Sequence, residues 1–479
     1  MTDHSAPAVV KTVAARGGRL EADAIGVAQD TVIGMASSAP AASVGLTIAG
    51  LAAATAYGSG AIILITVIPM VIIANAYRRL NIWNANCGAS FEWVGRAINP
   101  YLGWMTGWLM IAAYIIATVS GVEVLGPAVL SVFGDNSTAL TSNVLIAIAL
   151  GLVMLVIAVV GIKITARTQV GIAAVEYIIL IGFAIAGLAA VLGHRHGTMH
   201  FSADWFSVGG IGGKGSAVAG FLIAVFMFTG WDGTLYVNEE VRQRRTNPGK
   251  AAVIAVLLLA VIYTFSTVGL QGAVSANGLQ ANADSPLTYI AQSLAGGGWA
   301  KVMALSLALS VIATTGTGIV LTARIVYGMA SYRALPEPLA NVSRRFSTPV
   351  TASVVVGLLI IILSVVYLVT TSVQNAFNNV VDVTGLLFGI FYILTALATI
   401  VYYRRRLTRS VTDALTLGIL PIGAAAFLAY IVVKFMLGAP AVENWSMAGV
   451  IGAGLVFMLL ARFVLKSPFF QIRRESDAA

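Results

Sequence analysis

Charge is what this sequence has least of: Asp, Glu, Lys and Arg make up 10% of its 479 residues. A soluble domain carries about 25%, and a water-facing surface cannot be built from so few. There is one cysteine, Cys87, so no internal disulfide is available. Histidine is scarce too. His194, His196 and His200 share one polar stretch, but no carboxylate or thiol completes an obvious ligand set. No HExxH motif and no acid–base and nucleophile cluster is present, and the basic-side loops are too short for a domain of typical size. A membrane enzyme is therefore disfavoured. No cleavable leader is expected, because the first ~20 residues are polar with Lys11, Arg16 and Arg19, and the first apolar run is long enough to span.

What is there is apolar: 58% of the chain. The runs are near-continuous rather than alternating, which favours membrane helices over a barrel. At about 20 residues per crossing, the expected spans are 25–49, 57–77, 100–131, 143–162, 170–192, 215–238, 251–273, 301–331, 350–370, 380–402, 412–436 and 446–465. Residues 86–99 read as a short re-entrant or surface segment, and 193–214 and 274–300 as polar, Gly-rich outer loops. With the N-terminus cytoplasmic, of the 28 Lys and Arg only Arg195, Lys214, Lys301 and Lys434 fall outside, as the positive-inside rule requires. That placement, rather than nucleic-acid binding, accounts for the net charge of +9.

Two spans carry breaks. The first, GVAQDTVIGMASSAPAASVGLTIAG, has Gly34, Ser37, Ser38, Ala39 and Pro40 in its middle. Proline inside a helix removes a donor and clashes with the preceding turn. The sixth, GFLIAVFMFTGWDGTLYVNEE, has Gly230, Asp232 and Gly233, two poor helix formers around a carboxylate that is costly in lipid. Interrupted spans at corresponding places in two halves point to a transporter site. Five helices per half is odd, so the halves insert in opposite orientation. The expected architecture is an all-α polytopic membrane protein of twelve helices, a five-plus-five inverted repeat plus two C-terminal helices, with helices one and six discontinuous. The half-helix beginning near Ala41 points its positive end at the gap, which suits an α-carboxylate. Carbonyls near Phe226, Met227 and Phe228 suit an α-ammonium.

Three ordered segments carry a family resemblance: CGASFEWVGRAINPYLGWMTGWLMIAAYI (87–115), FTGWDGTLYVNEEVRQRRTNPGKA (228–251) and LTARIVYGMASYRALPEPLANVSRRFSTPVTA (321–352). Over residues 22–410 the chain resembles the amino acid–polyamine–organocation (APC) permeases. The resemblance implies alternating access, with helices one, three, six, eight and ten lining the path. It places Phe226 where the family often has an aromatic over the substrate, and Asp232 where it commonly has Glu. The chain departs from the family in having Ser37-Ser38-Ala39-Pro40 for the usual Gly-Ser-Gly type stretch, and in lacking the first of two prolines after Glu240. The first departure bears on carboxylate binding and so on substrate class.

Each candidate residue has two readings. Asp232 is a substrate or proton site, or the N-cap of a second half-helix. Phe226 and Trp231 are gates or packing, and Tyr114 offers a hydroxyl or packs. Glu123 and Glu176 are embedded carboxylates and so proton-site suspects, or partners of a helix backbone or Arg324. Asp382 falls near a helix end, in solvent. Ser310, Thr314, Thr315 and Thr317 can hold sodium with carbonyls of the first break, or bond helix carbonyls as membrane hydroxyls do.

The expected domains are a cytoplasmic tail to 22, a transporter core over 23–410, two helices over 411–466 and a cytoplasmic tail from 467. The expected function is a secondary active permease for amino acids or related amines in the plasma (inner) membrane. Its partners are the lipid bilayer, a small-molecule substrate and a coupling proton or sodium ion, with no cofactor, no resident metal and no nucleic acid. The rival readings are a nucleobase, organic-cation or inorganic-ion carrier of the same plan, a membrane enzyme, and a transporter-like sensor.

Overall fold

The computed structural model describes residues 18–55, 57–135, 139–211, 214–370 and 373–476. Lys11 and Arg16 of the expected N-terminal tail lie outside them. Twelve stretches among the described residues are long and apolar enough to cross a membrane, the number read from the sequence. The first span is split into α1 (Val27–Ser37) and α2 (Pro40–Thr55). Next in the chain are α3 (Ser59–Trp83), the short α4 (Ser90–Ala97), α5 (Pro100–Val132), α6 (Leu140–Val160) and α7 (Ile162–Leu192). The sixth span is α8 (Lys214–Met227) and a 3-10 turn, Trp231–Leu235. Then come α9 (Asn247–Gln271), two short helices α10 (Ala276–Ala281) and α11 (Pro286–Ala295), α12 (Gly297–Ser331), α13 (Val350–Thr370) and α14 (Val373–Tyr402). One turn, α15 (Val411–Asp413), passes through a π-turn into α16 (Leu420–Gly438), and α17 (Ala441–Leu459) completes the bundle.

Burial sorts the helices by role. The first, third, sixth, eighth and tenth spans are mostly enclosed, whereas the fourth, fifth, ninth and twelfth turn most of their residues outward. Those outward residues are large and apolar, Leu145, Val156, Ile178, Ile362 and Phe463 among them, which is the composition that lipid accepts. The 33- and 35-residue α5 and α12 exceed the ~20 residues a perpendicular crossing needs.

Two local expectations are corrected. Of the two readings of residues 86–99, re-entrant or surface, the surface one falls: α4 buries Phe91, Glu92, Trp93 and Val94. The stretch 274–300 is not plain loop, because α11 lays Leu287, Ile290, Ala291 and Leu294 against the bundle, an apolar stripe at helical spacing.

The arginine-rich ends gather on one face and are stitched together. Ile25 pairs with Val241 as an isolated parallel bridge, and the Ala24 and Ile25 amides donate to the Glu240 carbonyl at 2.8 and 3.2 Å. The Asn81 amide donates to the Arg244 and Arg245 carbonyls at 2.9 and 3.1 Å. Arg324 grips Glu240 through Nε and Nη2, both at 3.0 Å, with both side chains fully buried. The C-terminal segment folds back here. Phe469 stacks on Phe91 at 4.0 Å, and Arg96 reaches Glu475 at 2.6 Å. Arg324 thus pairs with neither Glu123 nor Glu176.

Cys87 lies in this seam, fully buried, its N–H donating to the Glu239 carboxylate at 3.0 Å. Burial and the Glu239 and Glu240 carboxylates push its thiol up, so the reactive thiolate is scarce. Removing one member of a buried ion pair costs roughly 3–5 kcal/mol. Arg324→Met is therefore expected to loosen the face and speed Cys87 alkylation by about tenfold or more. Losing the Arg324 charge would by itself make the thiol less ionised, so faster labelling can come only from opening. An unchanged rate would show that the pair does not hold this face shut.

Candidate functional site

In lipid every main-chain group freed by a broken helix must find a partner inside the protein. The first break obeys this for each of its amides and for the Met35, Ala36 and Ser38 carbonyls. The Ser38 and Ala39 amides turn back onto the Met35 and Ala36 carbonyls at 3.0 and 3.2 Å. Ala39 adopts φ +47°, and Pro40, whose missing N–H costs nothing at a helix start, opens α2. The Ala41 amide donates to Glu176 Oε1 at 2.9 Å and the Ala42 amide to Ser310 Oγ at 3.2 Å. The Ser38 carbonyl accepts from Tyr263 at 3.1 Å and Ser43 at 2.7 Å, and the Ala36 carbonyl from Thr314 at 2.9 Å. Spans five, seven and eight therefore supply the partners.

The sixth span breaks after Met227. The Thr229 amide and hydroxyl both donate to the Phe226 carbonyl, at 3.0 and 2.8 Å, so that carbonyl is occupied rather than free for an ammonium. Gly230 then takes φ +99°, where only glycine is at ease. A Cβ there would sit 2.7 Å from the Ser37 carbonyl, and one on Gly34 2.7 Å from Thr234 Cγ2. The two breaks are pressed back to back, with no room for a side chain between them. Beyond Gly230 the chain runs into a 3-10 turn rather than a second α-helix, and Gly230, not Asp232, takes its cap position.

Asp232 does not cap. Its carboxylate is fully buried and accepts from the Tyr392 hydroxyl at 2.7 Å and from Tyr236, as a carboxylate deprived of water needs. Trp231 is fully buried, its ring stacked on Tyr392 at 5.3 Å and edge-on to Tyr77 at 5.3 Å. Tyr114 donates to the Gly230 carbonyl at 3.4 Å and packs on Tyr236 and Phe388. Phe228 packs edge-on against Tyr263 at 5.3 Å.

On the side of the breaks away from the arginine-rich face lies a cavity of ≈ 40 Å³. Ala39, Ala42, Ser43 and Leu46 line it from the first span, and Ala117, Thr118, Ser120 and Gly121 from α5. Phe226 comes from α8, Val311 and Thr314 from α12. Its four hydroxyls all donate to backbone carbonyls. Ser43 reaches Ser38 at 2.7 Å, Thr118 reaches Tyr114 at 2.7 Å, Ser120 reaches Ala117 at 2.8 Å, and Thr314 reaches Ala36 and Ser310 at 2.9 Å each. What they turn to a guest is lone pairs. A larger cavity of ≈ 190 Å³ sits remote from the breaks, between residues 195–198 and 273–294.

Of the residues expected from sequence, the structure brings Ala39, Phe226 and Thr314 to the cavity. Ser37, Ser38 and Pro40 belong to the adjoining break and are not among the residues that line it. Glu176 stands behind it at the start of α2, fully buried, its Oε2 without a partner. Glu123 is elsewhere, accepting from Tyr367 of α13 at 3.1 Å. Thr315 bonds the Val311 carbonyl at 2.8 Å. Asp382 is half-buried rather than solvated. Among the described residues no three His, Cys, Asp or Glu gather as metal ligands, and His194 and His200 only approach ring to ring at 5.6 Å. Ser43, Thr118 and Ser120 were not foreseen, although helical spacing from Pro40 and Tyr114 could have marked the first two. Asp30 was also missed: it is fully buried in α1 with neither carboxylate oxygen bonded.

Gly230→Ala is expected to cost roughly 1–3 kcal/mol from its dihedral alone and to force the breaks apart. A lower thermal midpoint in detergent should accompany lost ligand response. A variant as stable as the parent would mean that the breaks can separate freely.

Comparison with known proteins fits this geometry. A family model described as Amino acid permease matches residues 29–460. The chain is 30% identical over 141 residues to the Homo sapiens Asc-type amino acid transporter 1, covering 29% of this chain and 27% of that protein. It is 23% identical over 338 residues to the Arabidopsis thaliana vacuolar cationic amino acid transporter 4, covering 67% and 52%. To the Mus musculus large neutral amino acids transporter small subunit 2 it is 26% identical over 247 residues, covering 51% and 43%. The chain thus spans between about a quarter and a half of these relatives' lengths. In fold it is similar to the Eremococcus coleocola manganese transporter crystallised with an aromatic bis-isothiourea substituted compound, with TM-score 0.58, 12% identity, and 92% and 95% of the two chains covered. The family match runs from the first span into the twelfth, across both breaks, and the chain belongs to the amino acid permease family.

Proposed function

We propose that this chain is a secondary active transporter that moves amino acids or related amines across the plasma membrane by alternating access. The arginine-rich face and both termini are cytoplasmic in this reading. The observation that carries it is the back-to-back pair of broken helices beside a hydroxyl-lined cavity at mid-membrane, the place where such carriers hold their cargo. The three relatives' names all specify amino acids, and the family does the same.

The parts then take roles. Phe226 covers the guest from α8, while Ser43, Thr118, Ser120 and Thr314 face it with oxygen. The cytoplasmic side is closed by the Arg324–Glu240 pair and the Ile25–Val241 bridge, and the cavity lies on the outer side of the breaks. Transport requires these seams to part as α1 swings. Coupling runs through Glu176, whose carboxyl group touches the moving helix at Ala41, in preference to Thr314. The Thr314 hydroxyl is already bonded to the Ala36 carbonyl that a sodium ion would need.

Uptake of labelled amino acids and amines into proteoliposomes tests the reading, and no flux of either would end it. Burying an aromatic ring on a guest is worth about 1.5–3 kcal/mol, so Phe226→Ala is expected to weaken uptake by ~tenfold or more at unchanged membrane abundance. Unaltered kinetics would remove Phe226 from the site. Glu176→Gln is expected to abolish pH-driven accumulation while sparing counterflow, and Glu123→Gln to change neither. Undiminished accumulation in Glu176→Gln would move the proton elsewhere.

A further inference from the structure

The amides across the first break leave no seat for a substrate carboxylate. Following the chain from Ser38 to Ser43, the Ser38 and Ala39 amides bond back to α1, and Pro40 has none. Ala41 is held by Glu176, Ala42 by Ser310, and Ser43 donates to the Ala39 carbonyl at 2.7 Å. Every donor that the positive end of α2 offers is engaged within the protein. The group that occupies its first free amide is itself a carboxyl, brought from α7 and fully buried. Glu176 Oε1 sits where the α-carboxylate of a zwitterionic guest would be expected to sit. The second oxygen, Oε2, has no hydrogen-bond partner.

The cavity lining has the same bias. Its four hydroxyls donate to backbone carbonyls and offer only lone pairs to a guest. No Lys or Arg lines it among the described residues, and Phe226, with an electron-rich ring face, is its one aromatic there. Such a lining receives N–H donors and a cation. It supplies nothing to a second carboxylate, which would lie beside Glu176 unpaired in a medium of low dielectric.

Resting on the transporter reading above, we infer that the preferred cargo is an amine without a free α-carboxylate, because Glu176 fills the carboxylate seat from within the protein. The ammonium of such a guest meets the hydroxyl oxygens of Ser43, Thr118 and Thr314, and its carbon skeleton meets Phe226 and Leu46.

Matched pairs test this, each amine being the amino acid without its carboxylate: ethanolamine and serine, isobutylamine and valine, phenethylamine and phenylalanine. The readouts are thermal stabilisation of the purified full-length protein and competition for uptake of the best labelled compound. In the parent protein at least one amine is expected to act at a concentration ~tenfold or more below that of its amino acid. Two variants separate seat from charge. Glu176→Gln keeps an oxygen for the Ala41 amide and should retain the amine preference. Glu176→Ala vacates the seat and should narrow or invert the ratio. Equal or better action of the amino acids on the parent protein overturns this inference and leaves the transporter reading intact, whereas response to neither class overturns both. If Glu176→Ala does not fold, the parent ratio and the Glu176→Gln ratio still decide.

Discussion

Within a bilayer a main-chain N–H or C=O cannot turn to water, so a helix that breaks there must be repaired by other parts of the protein. The whole centre of this molecule is shaped by that constraint. Two helices break at the same depth, and Gly230 and Gly34 let their bent backbones touch. Tyr263, Thr314, Ser310 and Glu176 then converge from three other spans to satisfy what the first break freed. The neighbours are thereby fixed in place by the defect they repair. The cavity is the space left just outward of the repair, where small side chains at Ala39, Ala42, Ala117 and Gly121 stop short of filling the bundle.

Four embedded carboxylates illustrate how differently one chemical group is handled. Glu240 has a guanidinium, Asp232 has two phenols, and Glu176 has a helix amide for one oxygen and nothing for the other. Asp30 has no partner at all. A fully paired group such as Glu240 stabilises a closed seam. A half-paired one such as Glu176 lies against the start of α2 with one carboxylate oxygen unpartnered.

The seam on the arginine-rich face has the opposite character. It joins the segment before α1 to the loop after the sixth span by main-chain hydrogen bonds, a strand-like bridge and one buried ion pair. Main-chain bonds between short extended segments can break without unfolding a helix. The ion pair, gripped in two places and fully buried, is the costlier contact to break. The C-terminal segment, with Phe469 set against Phe91 and Gly95, ties the same face to α4.

Length and hydropathy by themselves determined the twelve crossings, because a bilayer imposes one dominant requirement per segment: about 20 apolar residues. The residues around Pro40 and Gly230 likewise marked both breaks, since proline and glycine act on their own backbone whatever surrounds them. Nothing local could say which partners would repair those breaks. Glu176 is 135 positions from Ala41, and Thr314 is 278 from Ala36, so only the packing of α7 and α12 onto the first span brings them together. For the same reason Trp231 and Asp232, conspicuous in the sequence, turned away into an aromatic core. Ordinary residues such as Ser43, Thr118 and Ser120 came to line the cavity. A side chain's type and spacing fix its helix face, but what that face meets is decided by the other helices of the bundle.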